Sequence, residues 1–262
     1  MTDTILTRQD ADGIATLTLN TPASLNALSD AMIAALTAQF TALSTDRQTR
    51  VVVLRGEGRA FCAGHDLREM QAARQSPDKG AAYFSDLFQR CAAMMQMIPA
   101  LPQPVIAQTH GIATAAGCQL AASCDLVTAA QGTRFGVNGV NIGLFCSTPM
   151  VALTRKIPPA LAFEMLTTGE FIDATRARDA GLVNRISPPE TLDADTRVLA
   201  RQIAGKLGAA VKIGKSAFYD QQGESLAEAY ALTGRAMVEN MLWRDTEEGI
   251  TAFLEKRKPD WS

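Results

Sequence analysis

Apolar and polar positions alternate over residues 14–20 (IATLTLN), the period of a half-buried strand, whereas residues 51–56 (VVVLRG) form the unbroken β-branched run of a strand covered on both faces. Between them the spacing becomes helical. Met32, Ile33, Leu36, Phe40 and Leu43 recur three and four apart behind Ser29, whose hydroxyl suits a first-turn cap. The alternation continues as a helix over about 83–98, a strand over 104–111 (PVIAQTHG), a small-residue turn opening a further helix, and a strand over 125–130 (DLVTAA). Such regular exchange of strand and helix predicts an α/β fold.

Beyond about Ser187 the strand signal ends. Residues 190–207, 208–220, 225–243 and 245–257 read as helices, the last with Asp245 and Glu248 at capping-box spacing. The chain therefore divides into an α/β core over 1–190 and a helical region over 191–262. The apolar side chains Leu226, Ala229, Tyr230, Met237, Met241 and Leu242 exceed what one thin layer buries, so these helices are expected to pack on the core or on a neighbouring copy.

Composition narrows the classes. A 262-residue chain that is 47% hydrophobic can bury a substantial core. With 25 basic and 27 acidic residues it carries no electrostatic footprint for nucleic acid or an anionic membrane, and neither is expected as a partner. Residues 1–10 are polar, and no run approaches the roughly 18 apolar residues of a membrane span. The five cysteines (Cys62, Cys91, Cys118, Cys124, Cys146) are odd in number and lack CxxC spacing, so they read as reduced core residues of a cytoplasmic protein with no metal site.

Two stretches concentrate small residues ahead of a helix. GIATAAGCQLAASCDL (111–126) runs through Ala115, Ala116 and Gly117, and RAFCAGHDLREM (59–70) turns through Ala63 and Gly64. Such turns expose backbone N–H groups at the positive end of a helix, and two facing one another offer paired donors to one carbonyl oxygen. Taken singly, each turn is better explained by close helix–strand packing, since glycine-rich turns are weak motifs.

Taken in order, RAFCAGHDLREM, PQPVIAQTHGIATAAGCQLAASCDLVTAA, TRFGVNGVNIGLFCSTPMVALTRKI and ALAFEMLTTGEFIDATRARDAGLVNRI resemble the enoyl-CoA hydratase/isomerase family, the crotonase superfamily, over essentially the whole chain. The resemblance implies a spiral of ββα units with a C-terminal helical region that builds trimers, commonly paired as hexamers. It implies an acyl-CoA thioester ligand, with coenzyme A arriving as part of the substrate and no permanently bound cofactor. By position, the amides of His65, after Ala63-Gly64, and of Ala116, before Gly117, would form the oxyanion hole. Arg59 and Leu67 match positions along the adenine and phosphate end of coenzyme A, with Asp66 between the hole and Leu67. Phe253 and Lys256 match residues that reach a neighbour's coenzyme A. Asn141 and Cys146 fall where the acyl pocket would be.

The same resemblance exposes a departure. Hydration needs one group to activate water and another to protonate the α-carbon, and paired glutamates do both when burial tunes them. Here Gln119 and Gly139 occupy those positions. An amide cannot cycle a proton near neutral pH, and glycine only leaves space. With NIGLFCSTP (141–149) following, the chain looks like the branch of enoyl-CoA-hydratase-domain-containing proteins of the third mitochondrial type and their bacterial relatives. Restoring both acids is expected to raise hydration more than restoring either. His65 and Asp66 are the candidate replacements; His110 and Ser147 read as structural or pocket polars. Three functions compete: a hydratase, isomerase or thioester hydrolase using the hole, an acyl-CoA-binding protein with little turnover, and a spiral-fold serine peptidase, which two histidines outside any peptidase motif disfavour.

Overall fold

The computed structural model describes residues 4–261. The chain opens with a hairpin, β1 (Leu6–Ala11) against β2 (Ile14–Leu19), whose two-residue Asp12-Gly13 turn has positive φ at both positions, as a primed hairpin turn requires. Strand β1 lies at the sheet edge with three exposed residues, which is why its pattern reads only as polar. The part of that polar stretch formed by residues 1–3 lies outside the described residues.

Helix α1 (Asp30–Thr45) begins where expected, Ser29 Oγ accepting the Met32 N–H at 3.2 Å. Then follow β3 (Val51–Gly56), α2 (Leu67–Ala73), α3 (Ala81–Ala100), β4 (Val105–Thr109), β5 (Ile112–Thr114), α4 (Ala116–Ser123), β6 (Leu126–Ala130) and β7 (Arg134–Gly136). Helices α5 (Pro149–Leu153) and α6 (Pro159–Thr168), strand β8 (Ile172–Asp173), helix α7 (Ala174–Asp179) and strand β9 (Arg185–Ser187) complete the core. The C-terminal helices are α8 (Leu192–Ala204), α9 (Gly208–Asp220), α10 (Leu226–Met241) and α11 (Arg244–Leu254).

Among the described residues the main sheet runs β1-β2-β3-β4-β6-β9, parallel except for the β1–β2 pair, and a smaller sheet runs β5-β7-β8. Successive residues of β3 explain its unbroken apolar run. Val52 and Leu54 join the large core with α1, α3 and α4, while Val51 and Val53 point the other way onto Leu199 and Ala200 of α8. Thus α8 covers the second face of the sheet.

Asp245 and Glu248 form no capping box, because α11 starts at Arg244, its N-cap is Trp243, and Glu248 is drawn instead into a two-bond pairing with Arg257. The box forms at α10, where Ser225 and Glu228 bond reciprocally.

Helix α9 is fastened to the core by a buried ammonium. Lys215 Nζ donates to Ile98 O and Gln103 O at 2.9 Å each and to Asp125 Oδ2 at 2.7 Å, so all three of its protons are placed. Asp125 also accepts the Val105 N–H and the Tyr219 hydroxyl, at 2.6 and 2.7 Å. Helices α10 and α11 leave Leu226, Tyr230, Met237, Leu242, Phe253 and Leu254 more than half exposed. No helix among the described residues is long and apolar enough to cross a membrane.

Candidate functional site

The two small-residue turns lie against each other, and backbone bonds hold them there. Cys62 N–H donates to Ile112 O at 3.2 Å and Thr114 N–H to Cys62 O at 3.1 Å, zipping the segment after β3 to β5. Two residues beyond Cys62, Gly64 (φ +92°) is so near the second turn that a β-carbon there would lie 3.0 Å from Ala115 Cβ and 3.2 Å from Ala116 N. Gly117 is fixed more tightly: a β-carbon at 117 would lie 2.1 Å from Cys62 O. The close-packing reading of the small residues therefore holds, and the packing that excludes side chains also brings the Ala63-Gly64-His65 turn beside the first amide of α4. That amide belongs to a helical first turn, where N–H groups lack intrahelical acceptors and the helix dipole is positive.

Gln119 stands one turn into α4, only 5% exposed. Its backbone N–H bonds Ala115 O at 3.0 Å, and its Oε1 is buried with no partner among the described residues. A helical side chain leans toward the N-terminal end of its helix, so this carboxamide lies over the face carrying Ala115 and Ala116.

Gly139 lies in a short 3-10 turn over 138–142. A β-carbon there would meet Leu144 O at 2.3 Å and Cys146 Sγ at 2.8 Å, so the chain returning through 144–146 already fills the space into which a side chain would grow. This revises the expectation that both acids can be restored together: only position 119 has room. Cys146 is buried, and burial raises its thiol pKa against an N–H bond from Gly139 that lowers it. It stays protonated and unreactive near neutral pH.

His65 is half-buried, with its ring edge-on to Phe88 at 5.7 Å between centroids and Nε2 sealed without a partner among the described residues. Burial pushes its imidazole down to about 4, opposed by the charge of Asp30. Asp66 caps α2, accepting the N–H groups of Arg68 and Glu69 at 2.8 and 3.4 Å. Arg59 and Leu67 are exposed, Leu67 opening α2, and Arg59 O lies against Gly111. Asn141 is exposed with Oδ1 over Gly169. Phe253 and Lys256 stand at the end of α11, and among the described residues no hydrogen bond or ion pair ties either to the paired turns. His110 Nε2 bonds the Gly58 carbonyl at 2.8 Å, a structural contact. The site also contains a feature that the sequence does not signal: Ala115 holds positive φ.

The low pKa of His65 makes stability pH-dependent. A histidine in the unfolded chain titrates near 6.5, so folding favours the neutral ring; its contribution is complete above about pH 6.5 and is lost as pH falls toward 4. Across that window the protein is expected to lose on the order of 2–3 kcal/mol more than the His65→Leu variant, read by denaturant titration at several pH values. Parallel pH profiles would contradict the assignment.

Comparison with known proteins shows the family and the fold. The model of the family described as enoyl-CoA hydratase/isomerase matches residues 9–262. The enoyl-CoA hydratase domain-containing protein 3, mitochondrial, of Xenopus laevis is 44% identical over 254 residues, 97% of this chain and 85% of that one. The 2,3-dehydroadipyl-CoA hydratase of Escherichia coli is 34% identical over 262 residues, covering 100% of this chain and 99% of its own. The crystal structure of an enoyl-CoA hydratase of Mycobacterium smegmatis superimposes with a TM-score of 0.95 at 50% identity, covering 99% of both chains. The cytoplasmic expectation is overturned, because strongly matching relatives from frog, mouse and human are mitochondrial by name. The reduced cysteines that motivated it do not tell one reducing compartment from another.

Proposed function

The chain belongs to the enoyl-CoA hydratase/isomerase family, and from that premise we propose that it holds the carbonyl of an acyl-CoA thioester between the amides of His65 and Ala116. The observation that carries this reading is the approach of Gly64 to within 3.2 Å, measured from a β-carbon position, of Ala116 N. Two N–H donors on turns packed this closely would stabilise negative charge on the thioester oxygen as the α-carbon gains enolate character. Arg59 and Leu67, on the exposed rim next to the first turn, would meet coenzyme A. Phe253 and Lys256 would serve the site of a neighbouring copy in a trimer or a pair of trimers, which the exposed apolar residues of α10 and α11 favour.

Acid–base chemistry is the weak link. Gln119 cannot exchange a proton near neutral pH, position 139 is closed, Asp66 is engaged as a cap, and His65 is neutral with a sealed Nε2. A thioester-binding protein with slow hydration fits this set, and the filled space at Gly139 specifically favours it over an efficient hydratase. Acetyl-, crotonyl- or octanoyl-CoA should raise Tm, by the equivalent of about 2.7 kcal/mol at a hundred times Kd. Absence of any shift at millimolar ligand would defeat the reading. Light scattering should give three or six times the 28.0 kDa chain mass, and a monomer at micromolar concentration would defeat the assembly.

A further inference from the structure

Ala115 sits at φ +50°, ψ −121°, a conformation open to glycine and disfavoured for a residue with a β-carbon. Its ψ sets the plane of the 115–116 peptide. The carbonyl of that peptide accepts the Gln119 N–H at 3.0 Å and so starts α4, while its N–H is the Ala116 donor. On the preceding side, Ala115 N–H donates to Gly136 O at 2.9 Å, tying the residue to β7. Relaxation to extended backbone would turn ψ by roughly a quarter-circle, swinging the Ala116 N–H away from the Gly64 turn.

The methyl group is placed as deliberately as the backbone. Ala115 Cβ occupies the space beside Gly64, at 3.0 Å from where a β-carbon of residue 64 would lie. The side chain of one turn therefore fills the gap left by the glycine of the other. The Gln119 carboxamide, 5% exposed and with Oε1 unpartnered among the described residues, leans toward the same helix end.

We propose that Ala115 is a positioning residue: its methyl, wedged against Gly64, fixes the separation and direction of the Ala116 N–H relative to the His65 turn. It acts through Ala116 and rests on the reading of these amides as the thioester-oxygen site. Glycine at 115 would relieve the unfavourable φ but remove the methyl that spaces the two turns.

The test uses the full-length protein with p-dimethylaminocinnamoyl-CoA, a chromophoric enoyl thioester whose absorption moves to longer wavelength as its carbonyl is polarised. Ala115→Gly is expected to melt no lower than the unmodified protein while binding the probe about tenfold more weakly, with a smaller red shift in the bound spectrum. Ala115→Ser, which keeps the β-carbon, should retain affinity within about twofold and the full red shift. Unchanged affinity and red shift in A115G would overturn the proposal. So would a loss of affinity that merely follows a loss of Tm, or an equal loss in A115S. If the unmodified protein binds no CoA thioester at all, the acyl-CoA reading itself fails and takes this proposal with it, an outcome visible before any variant is made.

Discussion

Gln119→Glu is expected to raise hydration of crotonyl-CoA by about 10²-fold or more, the lower end of what one positioned general acid–base group contributes. Glutamate is close to glutamine in shape, and the buried Oε1 has no partner among the described residues to lose. The new carboxyl would be desolvated, which raises its pKa toward the range useful for proton transfer near neutrality. Gly139→Glu is expected to do the opposite of restoring activity. Its β-carbon would overlap Leu144 O and Cys146 Sγ, so the 144–146 segment must move, at a cost of about 1–3 kcal/mol or more. The double variant should then be no faster than Gln119→Glu alone and should melt lower. Initial rates followed by loss of the enoyl absorbance, beside melting curves, check both; a double variant that melts normally and outpaces the single one would show that position 139 is open after all.

Lys215→Ala is the substitution expected to cost most in stability. It leaves the Asp125 carboxylate, 14% exposed at the side chain, without its cation and strips the Ile98 and Gln103 carbonyls of a donor. Removing one member of a buried ion pair costs about 3–5 kcal/mol. At about 2–4 °C per kcal/mol for a chain of this size, Tm should fall by roughly 10 °C. Tyr219→Phe, which removes one hydroxyl bond to the same carboxylate, should cost about 1.5–3 kcal/mol. Because α9 carries both side chains, a fall in Tm for Lys215→Ala no larger than that of an exposed lysine variant such as Lys212→Ala would mean that α9 docks without this network.

Much of this architecture was legible in the residue pattern, for physical reasons that differ by element. The Val51–Leu54 run announces a strand buried on both faces because α8 and the main core press on it from opposite sides. Ser29 announces α1 because a hydroxyl ahead of a helical stripe has few other uses. Strand β1 escaped because an edge strand with three exposed positions carries too little apolar signal, although Asp12-Gly13 marked its turn. The capping box was misplaced because Ser225/Glu228 and Asp245/Glu248 share one spacing, and only helix start points and the pull of Arg257 separate them. At the site, the small residues showed where backbones approach, but not that Cys146 and Leu144 close position 139 or that Ala115 holds positive φ. Those facts come from long-range packing, which no local pattern encodes.

A turn pair that binds a thioester but lacks a working carboxylate pair is tested directly by one titration of the unmodified protein with crotonyl-CoA that reads binding and turnover from the same samples. Saturable binding with hydration far below the roughly 10 per second typical of enzymes is the predicted result. Hydration at that rate or above would contradict it, because a proton carrier other than Gln119 and the closed position at Gly139 would then have to be at work.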